Sequence, residues 1–463
     1  MREIIEKSNS QLRFSDRDIT TSDVLKKYRR EVPKGRGLVF AVLPRSEEAL
    51  ELYLALMASE NVPLFLPPDI SNEALFRLTT EFRPQFVITD SAYEFDFHDY
   101  CFASTISIFQ IFELRSKNIS AIDSDLCLLV TTSGSTGSPK LIPQTYVNVI
   151  ENCQQIIKAV NLNRNDIALI SLPLSYTFGM SIVNCQLMTG AAMVASDFEL
   201  LSKATLSAVI NKSVTLIAGV PAHFEALLAA RFFRSRYAEG VKKYLQAGGG
   251  LKEDTHQKLS KLVKDHRFSF YSMYGQAEAT TRIAVLPPEK FDSNFRCVGL
   301  PLEGIEIEIV HKNVESSDRP LEGEIICKGP NICPEYVICS DDLIALKPRK
   351  NHTLYTGDLG YLNKDGHLFI SGRLKRFAKL RGISFNLDDV ERILNSKGIP
   401  CACTEVEGEL LIFTTITVTQ DLVIGIKEIM LNLNLKDFKV QSIDELPYLS
   451  SGKIDYQSLK RIS

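Results

Sequence analysis

The sequence predicts an α/β fold: a large N-terminal α/β domain with mostly parallel sheets and a β-rich subdomain, then a small α+β C-terminal domain. Three observations lead there. Apolar strand-like runs alternate with helical patterns through the first hundred residues and again after Lys140. From about residue 295 to 372 the pattern shortens to β segments and turns. Beyond the basic link Gly372-Arg373-Leu374-Lys375-Arg376, helix and strand signals mix once more. The boundaries read this way are 1–372, with the β-rich part at about 295–372, and 373–463.

Leu38–Leu43 is the first apolar run. Ser46 then opens a helix, with Glu48 and Glu51 in its first turns and Leu50, Tyr53, Leu54 and Met57 on one face. Val62–Leu66 is the second strand, Asn72–Phe82 the second helix and Phe86–Thr89 the third strand. This β-α-β-α-β rhythm implies parallel strands covered by helices. After Lys140 the strand candidates are Ile167–Leu172, Ala192–Val194, Thr215–Val220 and Phe268–Met273. Glu306–Val310, Gly323–Cys327 and His367–Ile370 follow, with a turn at Asn363–Gly366. In the last unit, Asn386 caps a helix with Asp388 and Asp389 in its first turn and Leu387, Val390, Ile393 and Leu394 on its apolar face.

A chain of 463 residues is too long for one core. Its 45% hydrophobic and 24% charged content are ordinary globular values. A net charge of −3 gives no general attraction to polyanions, so nucleic acid is not an expected partner. Arg231, Arg234, Arg236, Lys242 and Lys243 read as a solvated basic face, with docking of an acidic carrier protein or a nucleotide phosphate as the second reading. The ten Cys form no C-x-x-C pair, and Cys327, Cys333 and Cys339 lack His at ligand spacing, so zinc is not expected. Cys401 and Cys403 fit one face of a strand. Free thiols in a reducing cytoplasm are the expectation. The first residues carry no apolar leader and the chain no long apolar run, so neither a secretory signal nor a transmembrane segment is expected.

The chemistry centres on Thr131-Thr132-Ser133-Gly134-Ser135-Thr136-Gly137-Ser138-Pro139-Lys140, directly after the apolar run Leu126–Val130. Gly lets the backbone bring N–H groups close to an anion, hydroxyls add donors and Lys adds charge, a combination suited to a polyphosphate. It is not a Walker A loop: Pro139 intervenes before the Lys, and Leu141, not Ser or Thr, follows it. Tyr274-Gly275-Gln276-Ala277-Glu278 follows a predicted strand, the usual ligand position in an open α/β sheet. Its Tyr can stack on a purine, and its Glu can hold a magnesium ion that bridges phosphates. Asp358, in Tyr355-Thr356-Gly357-Asp358-Leu359-Gly360, suits two ribose hydroxyls.

These blocks resemble, in order, the signature motifs of the adenylate-forming (AMP-binding) superfamily, which contains acyl-CoA synthetases, nonribosomal-peptide adenylation domains and luciferases. The first matches T-S-G-[ST]-T-G-x-P-K-G except at Leu141. The second is similar to Y-G-x-T-E, with Ala277 replacing Thr. The third resembles [YF]-x-T-G-D-x-G. Ser371-Gly372-Arg373-Leu374-Lys375 looks like the family's G-R-x-[KD] hinge, and Leu446–Ile454 like L-P-x-[TL]-x-x-G-K-[IV]. The Arg that usually follows is Asp455. Leu172–Gly179 is similar to P-L-x-H-x-x-G, with Tyr176 at the His position.

The resemblance implies ATP-dependent activation of a carboxylic acid to acyl-AMP with release of pyrophosphate, then thioester formation on CoA or a carrier-protein phosphopantetheine. It implies that Thr132, Ser133, Gly134, Ser135, Thr136, Gly137 and Lys140 hold phosphates, Glu278 binds Mg2+, and Tyr274, Asp358 and Arg373 bind the nucleotide. Lys453 is implied to act at the α-phosphate, with Lys140 and Glu278, in catalysis. Lys375 is implied as the pivot of a mobile C-terminal domain. Tyr176, Gly219, Gly248 and Gly249 are implied to line the acyl pocket. Two other readings stay open: an amino-acid-activating adenylation enzyme, or a non-catalytic nucleotide- or acyl-binding member of the fold. The full catalytic set speaks against the second. Against the first, Ser175–Met180 holds no acid to pair with an ammonium, so a non-amino acid with an uncharged tail is expected.

Overall fold

The computed structural model of the chain describes residues 1–91, 93, 95, 98–116, 121–131, 140–195, 199–265, 268–292, 295–311, 322–374, 376–380, 383–406, 409–429, 438–449 and 454–462. Two large sheets organise it. At the centre of a seven-stranded sheet, Phe86–Asp90, Leu38–Val42, Val62–Leu66 and Leu126–Thr131 run parallel in that spatial order. Leu38–Val42 and Val62–Leu66 are buried at every position, as strands covered on both faces must be. The helix Glu47–Ala58 is capped by the Ser46 hydroxyl, which accepts from the Ala49 N–H. Glu51, expected simply as a first-turn acid, is almost fully buried and accepts from Arg17 at 3.0 Å and from the Tyr28 hydroxyl at 2.9 Å.

Both edges of this sheet are antiparallel. On one, Tyr100–Ile106 and Phe109–Leu114 form a hairpin that the sequence pattern did not reveal. On the other, Leu141–Thr145 pairs with Leu126–Thr131, and Thr131 stands opposite Leu141. The strands on either side of the Ser/Thr/Gly motif therefore pair with each other. Leu141, where the family carries Gly, opens the returning strand and is buried.

The second sheet has thirteen strands. Ser269–Tyr274, Lys243–Gln246, Leu216–Gly219, Ile167–Ile170, Ala192–Ala195 and Gln11–Arg13 form its parallel part. Beyond Ser269–Tyr274 it continues antiparallel through Ala284–Leu286, Cys297–Pro301, Leu368–Arg373, Thr353–Leu362, Gly323–Lys328 and Glu306–Val310. The β-rich stretch is thus an extension of the parallel sheet. Helices Tyr146–Ala159 and Thr177–Thr189 pack on each other and share the largest core with side chains of both sheets.

The last unit has its own small sheet, Cys401–Val406, Glu409–Thr414 and Phe438–Ser442. One face packs Cys401, Cys403, Leu410 and Ile412 against Leu387, Val390 and Leu394 of the helix Leu387–Ser396. The other packs Ala402, Leu411 and Phe413 against Leu459. Two expectations need correction. Gly372 and Arg373, expected as the start of the basic link, complete the strand Leu368–Arg373. Lys243 does not belong to a solvated face, because it is largely buried and pairs with Asp166 at 2.9 Å. Among the described residues no helix is long and apolar enough to cross a membrane.

Candidate active site

Four adjacent parallel strands, Ile167–Ile170, Leu216–Gly219, Lys243–Gln246 and Ser269–Tyr274, deliver their C-terminal ends side by side. Those ends and the segments just past them carry Tyr176, Gly219, Gly248 with Gly249, and Tyr274 through Glu278. A crevice beyond the strand ends is where open α/β sheets place ligands.

Beside Tyr176, Gly248 has φ +87°, and a Cβ there would come within 2.7 Å of the Tyr176 hydroxyl and 3.2 Å of Val220. Only glycine meets both demands. Gly249 faces Pro221. Gly219 packs against His223 and Phe224. His223 is held below its ordinary pKa by burial, with the charge of Arg45 second, so it stays neutral.

Tyr274, Asp358 and Arg373 meet. The Tyr274 hydroxyl donates to Asp358 Oδ2 at 2.6 Å, and Arg373 Nε donates to Asp358 Oδ1 at 2.8 Å. Tyr274, expected as a stacking ring, has its hydroxyl committed to anchoring. Burial first, and the neighbouring Asp358 charge second, push its pKa far up, so it remains a donor. The Asp358 charge likewise raises Arg373. Gly357, at φ +70°, donates its N–H to Glu324, and the Asp358 N–H donates to the Thr356 hydroxyl. Asp358 is 3% exposed.

Between these loci runs the loop Ala277–Arg282. Gln144 donates to the carbonyls of Ala277 and Thr280, Asn331 to those of Ala279 and Arg282, and Asn152 to that of Arg282. Thr280 sits at φ 63°, ψ −65°, a rare conformation for a β-branched residue, and its hydroxyl donates to the Asn331 carbonyl. Glu278 Oε1 accepts from the Tyr336 hydroxyl at 2.7 Å, and the Arg349 guanidinium lies 5.1 Å from the centre of the Tyr336 ring. Next to Tyr336, Val337 forms a two-way backbone bridge with Leu141, the residue after Lys140. That bridge ties the end of the Ser/Thr loop to Glu278.

The sequence reading missed Gln144, Asn152, Asn331, Tyr336 and Arg282. For Gln144 a signal existed: it follows the apolar run Leu141–Pro143 and is buried. Lys140 is exposed beside the strand Leu141–Thr145. Thr132, Ser133, Gly134, Ser135, Thr136, Gly137, Lys375 and Lys453 lie outside the described residues.

A profile of the family described as AMP-binding enzyme matches residues 25–337. A 2-succinylbenzoate–CoA ligase from Geobacillus sp. (strain WCH70) is 30% identical over 274 residues, covering 59% of this chain and 54% of the relative. A feruloyl-CoA synthase from Amycolatopsis sp is 28% identical over 253 residues, covering 54% of this chain and 50% of the relative. These alignments span about half the length of either relative. The Bacillus subtilis O-succinylbenzoate coenzyme A synthetase in complex with AMP superposes with a TM-score of 0.78 at 21% identity, covering 99% of this chain and 98% of the other. By the extent of the family match, the chain belongs to the AMP-binding enzymes, the adenylate-forming superfamily.

Proposed function

We propose that this chain is an acid–CoA ligase that makes an acyl-adenylate from ATP and a carboxylic acid and transfers the acyl group to CoA. The observation that carries the reading is the joining of the Tyr274–Asp358–Arg373 cluster and Glu278 to the Tyr176–Gly248 wall along four neighbouring strand ends. The similar proteins named as CoA ligases support it. In the first half-reaction a carboxylate oxygen attacks the α-phosphorus of ATP and pyrophosphate leaves. In the second, the CoA thiolate attacks the acyl carbon and AMP leaves. The protein contributes positioning and charge neutralisation.

Asp358 accepts from ribose hydroxyls with lone pairs left over from Tyr274 and Arg373. Lys140 and the loop 132–137 hold the β- and γ-phosphates, and Lys453 neutralises charge at the α-phosphate. Glu278 fits Mg2+: Tyr336 orients one carboxylate oxygen, and a single carboxylate completed by phosphates and waters is a usual magnesium donor set. When bound, the ion neutralises phosphate charge. The division at 372/373 with its pivot at Lys375 is part of this reading. Arg373 is tied to Asp358, and Arg376 to Asp388 and Glu391, so only Leu374 and Lys375 separate the two anchors. The test is product analysis by mass spectrometry with ATP, Mg2+, CoA and a panel of acids. AMP and an acyl-CoA in equal amounts are expected; ADP, or thioester without ATP consumption, would overturn the reading.

A further inference from the structure

We infer that Arg282 makes this chain selective for an acid whose tail carries a second carboxylate, bound by the guanidinium at the inner end of the acyl pocket. The inference rests on the acid-activating reading above. Arg282 is 1% exposed, and its Nε and Nη2 are buried without a hydrogen-bond partner. Its main chain, by contrast, is fully tied: the N–H donates to Asn152 at 3.1 Å, and the carbonyl accepts from Asn152 at 2.9 Å and Asn331 at 3.1 Å. The backbone is therefore held in place for a head group that the chain leaves unsatisfied.

The guanidinium lies 4.0 Å from the centre of the Phe178 ring, and that ring meets Tyr176 edge-on at 6.3 Å. Tyr176, in turn, abuts Gly248. A continuous file thus leads from the acyl wall to Arg282. Among the described residues the ionisable groups close enough to act on Arg282 are Cys185, Tyr176 and Cys153: two thiols and a phenol, none of them a carboxylate. Burial pushes the Arg282 pKa down to about 10. A cavity of about 10 Å³, room for one water, is lined by the preceding residue Thr281 and by Asn152, whose side chain holds the Arg282 main chain; Arg282 itself is not part of the lining. A water satisfies a guanidinium N–H but does not neutralise the charge. A carboxylate does both, because the guanidinium fork matches its two oxygens. The uncharged tail expected from Ser175–Met180 took no account of Arg282, which arrives from a different strand end.

The test is ATP–pyrophosphate exchange with length-matched pairs, succinate against butyrate and glutarate against valerate, for wild type, Arg282→Met and Arg282→Lys. Wild type should favour the diacid by on the order of 10²-fold in kcat/KM, Arg282→Lys should keep part of that preference, and Arg282→Met should abolish it while still using the monoacid. Thermal melting supplies a second readout. An uncompensated buried charge costs stability, so Arg282→Met should melt higher than wild type without ligand, and succinate should raise the Tm of wild type alone. Equal use of both members of each pair by wild type would overturn the inference and leave acid activation standing. So would an Arg282→Met protein that melts lower and loses both acids in proportion. Exchange with no acid would overturn acid activation and this inference together.

Discussion

Arg373 Nε reaches Asp358 Oδ1 at 2.8 Å across two strands in which the two residues stand directly opposite. The carboxylate proposed to hold ribose is therefore oriented by the last residue of the strand that leads into the C-terminal unit. Asp358→Ala should weaken ATP binding by about 1.5–3 kcal/mol, the worth of a charge-assisted hydrogen bond. It should also lower the Tm, because the buried Tyr274 hydroxyl loses its acceptor. Titration calorimetry with ATP checks this. Unchanged affinity with a collapsed Tm would make the residue purely structural.

Tyr336→Phe removes the hydroxyl that orients Glu278 while keeping the ring under Arg349. The Mg2+ requirement should rise about 3–10-fold, and direct Mn2+ binding in the presence of ATP, followed by electron paramagnetic resonance, should weaken in parallel. An unaltered metal titration would show that Glu278 needs no help from Tyr336.

Arg376 donates to Asp388 at 2.8 Å and Glu391 at 2.6 Å and covers the Tyr456 ring at 3.8 Å. Arg376→Ala strands the buried Glu391 and should cost about 3–5 kcal/mol, felt in the C-terminal unit with its separate cores. Burial pushes the Glu391 carboxyl above its ordinary value even with Arg376 beside it. A raised acid penalises folding as pH climbs through its unfolded value, so the deficit should be small below pH 4.5 and full at pH 7. Limited proteolysis across that range reads it. Equal cleavage of wild type and variant at pH 7 would show that the cluster does not hold the unit together.

Lys375→Pro acts between the two anchored arginines. Restricting φ at the pivot should spare adenylate formation and reduce thioester formation much further. Single-turnover measurement of each half-reaction decides it, and equal loss in both would remove Lys375 as the pivot.

Much of the fold was legible because burial imposes period. Val62–Leu66, Asn72–Phe82 and Glu306–Val310 fall where their patterns put them. The strand Tyr100–Ile106 escaped because its middle faces solvent and carries no apolar alternation. In the site, Tyr274, Asp358 and Arg373 stand in recognisable motifs, and the structure brings them together. Arg282 and Arg376 do not announce themselves. A buried arginine looks like a surface one until Phe178, or Glu391 and Tyr456, are folded against it. Arg376 was accordingly read as part of a basic link.

Acid-dependent exchange of labelled pyrophosphate into ATP, without CoA, tests the central claim most directly, since it reports reversible acyl-AMP formation alone. Wild type should exchange with its acid, and Lys453→Ala should exchange on the order of 10²–10³-fold more slowly with an unchanged Tm, as expected for a charge contact made mainly in the transition state. Exchange that proceeds without any acid, or at the wild-type rate in Lys453→Ala, would contradict carboxylate activation by this site.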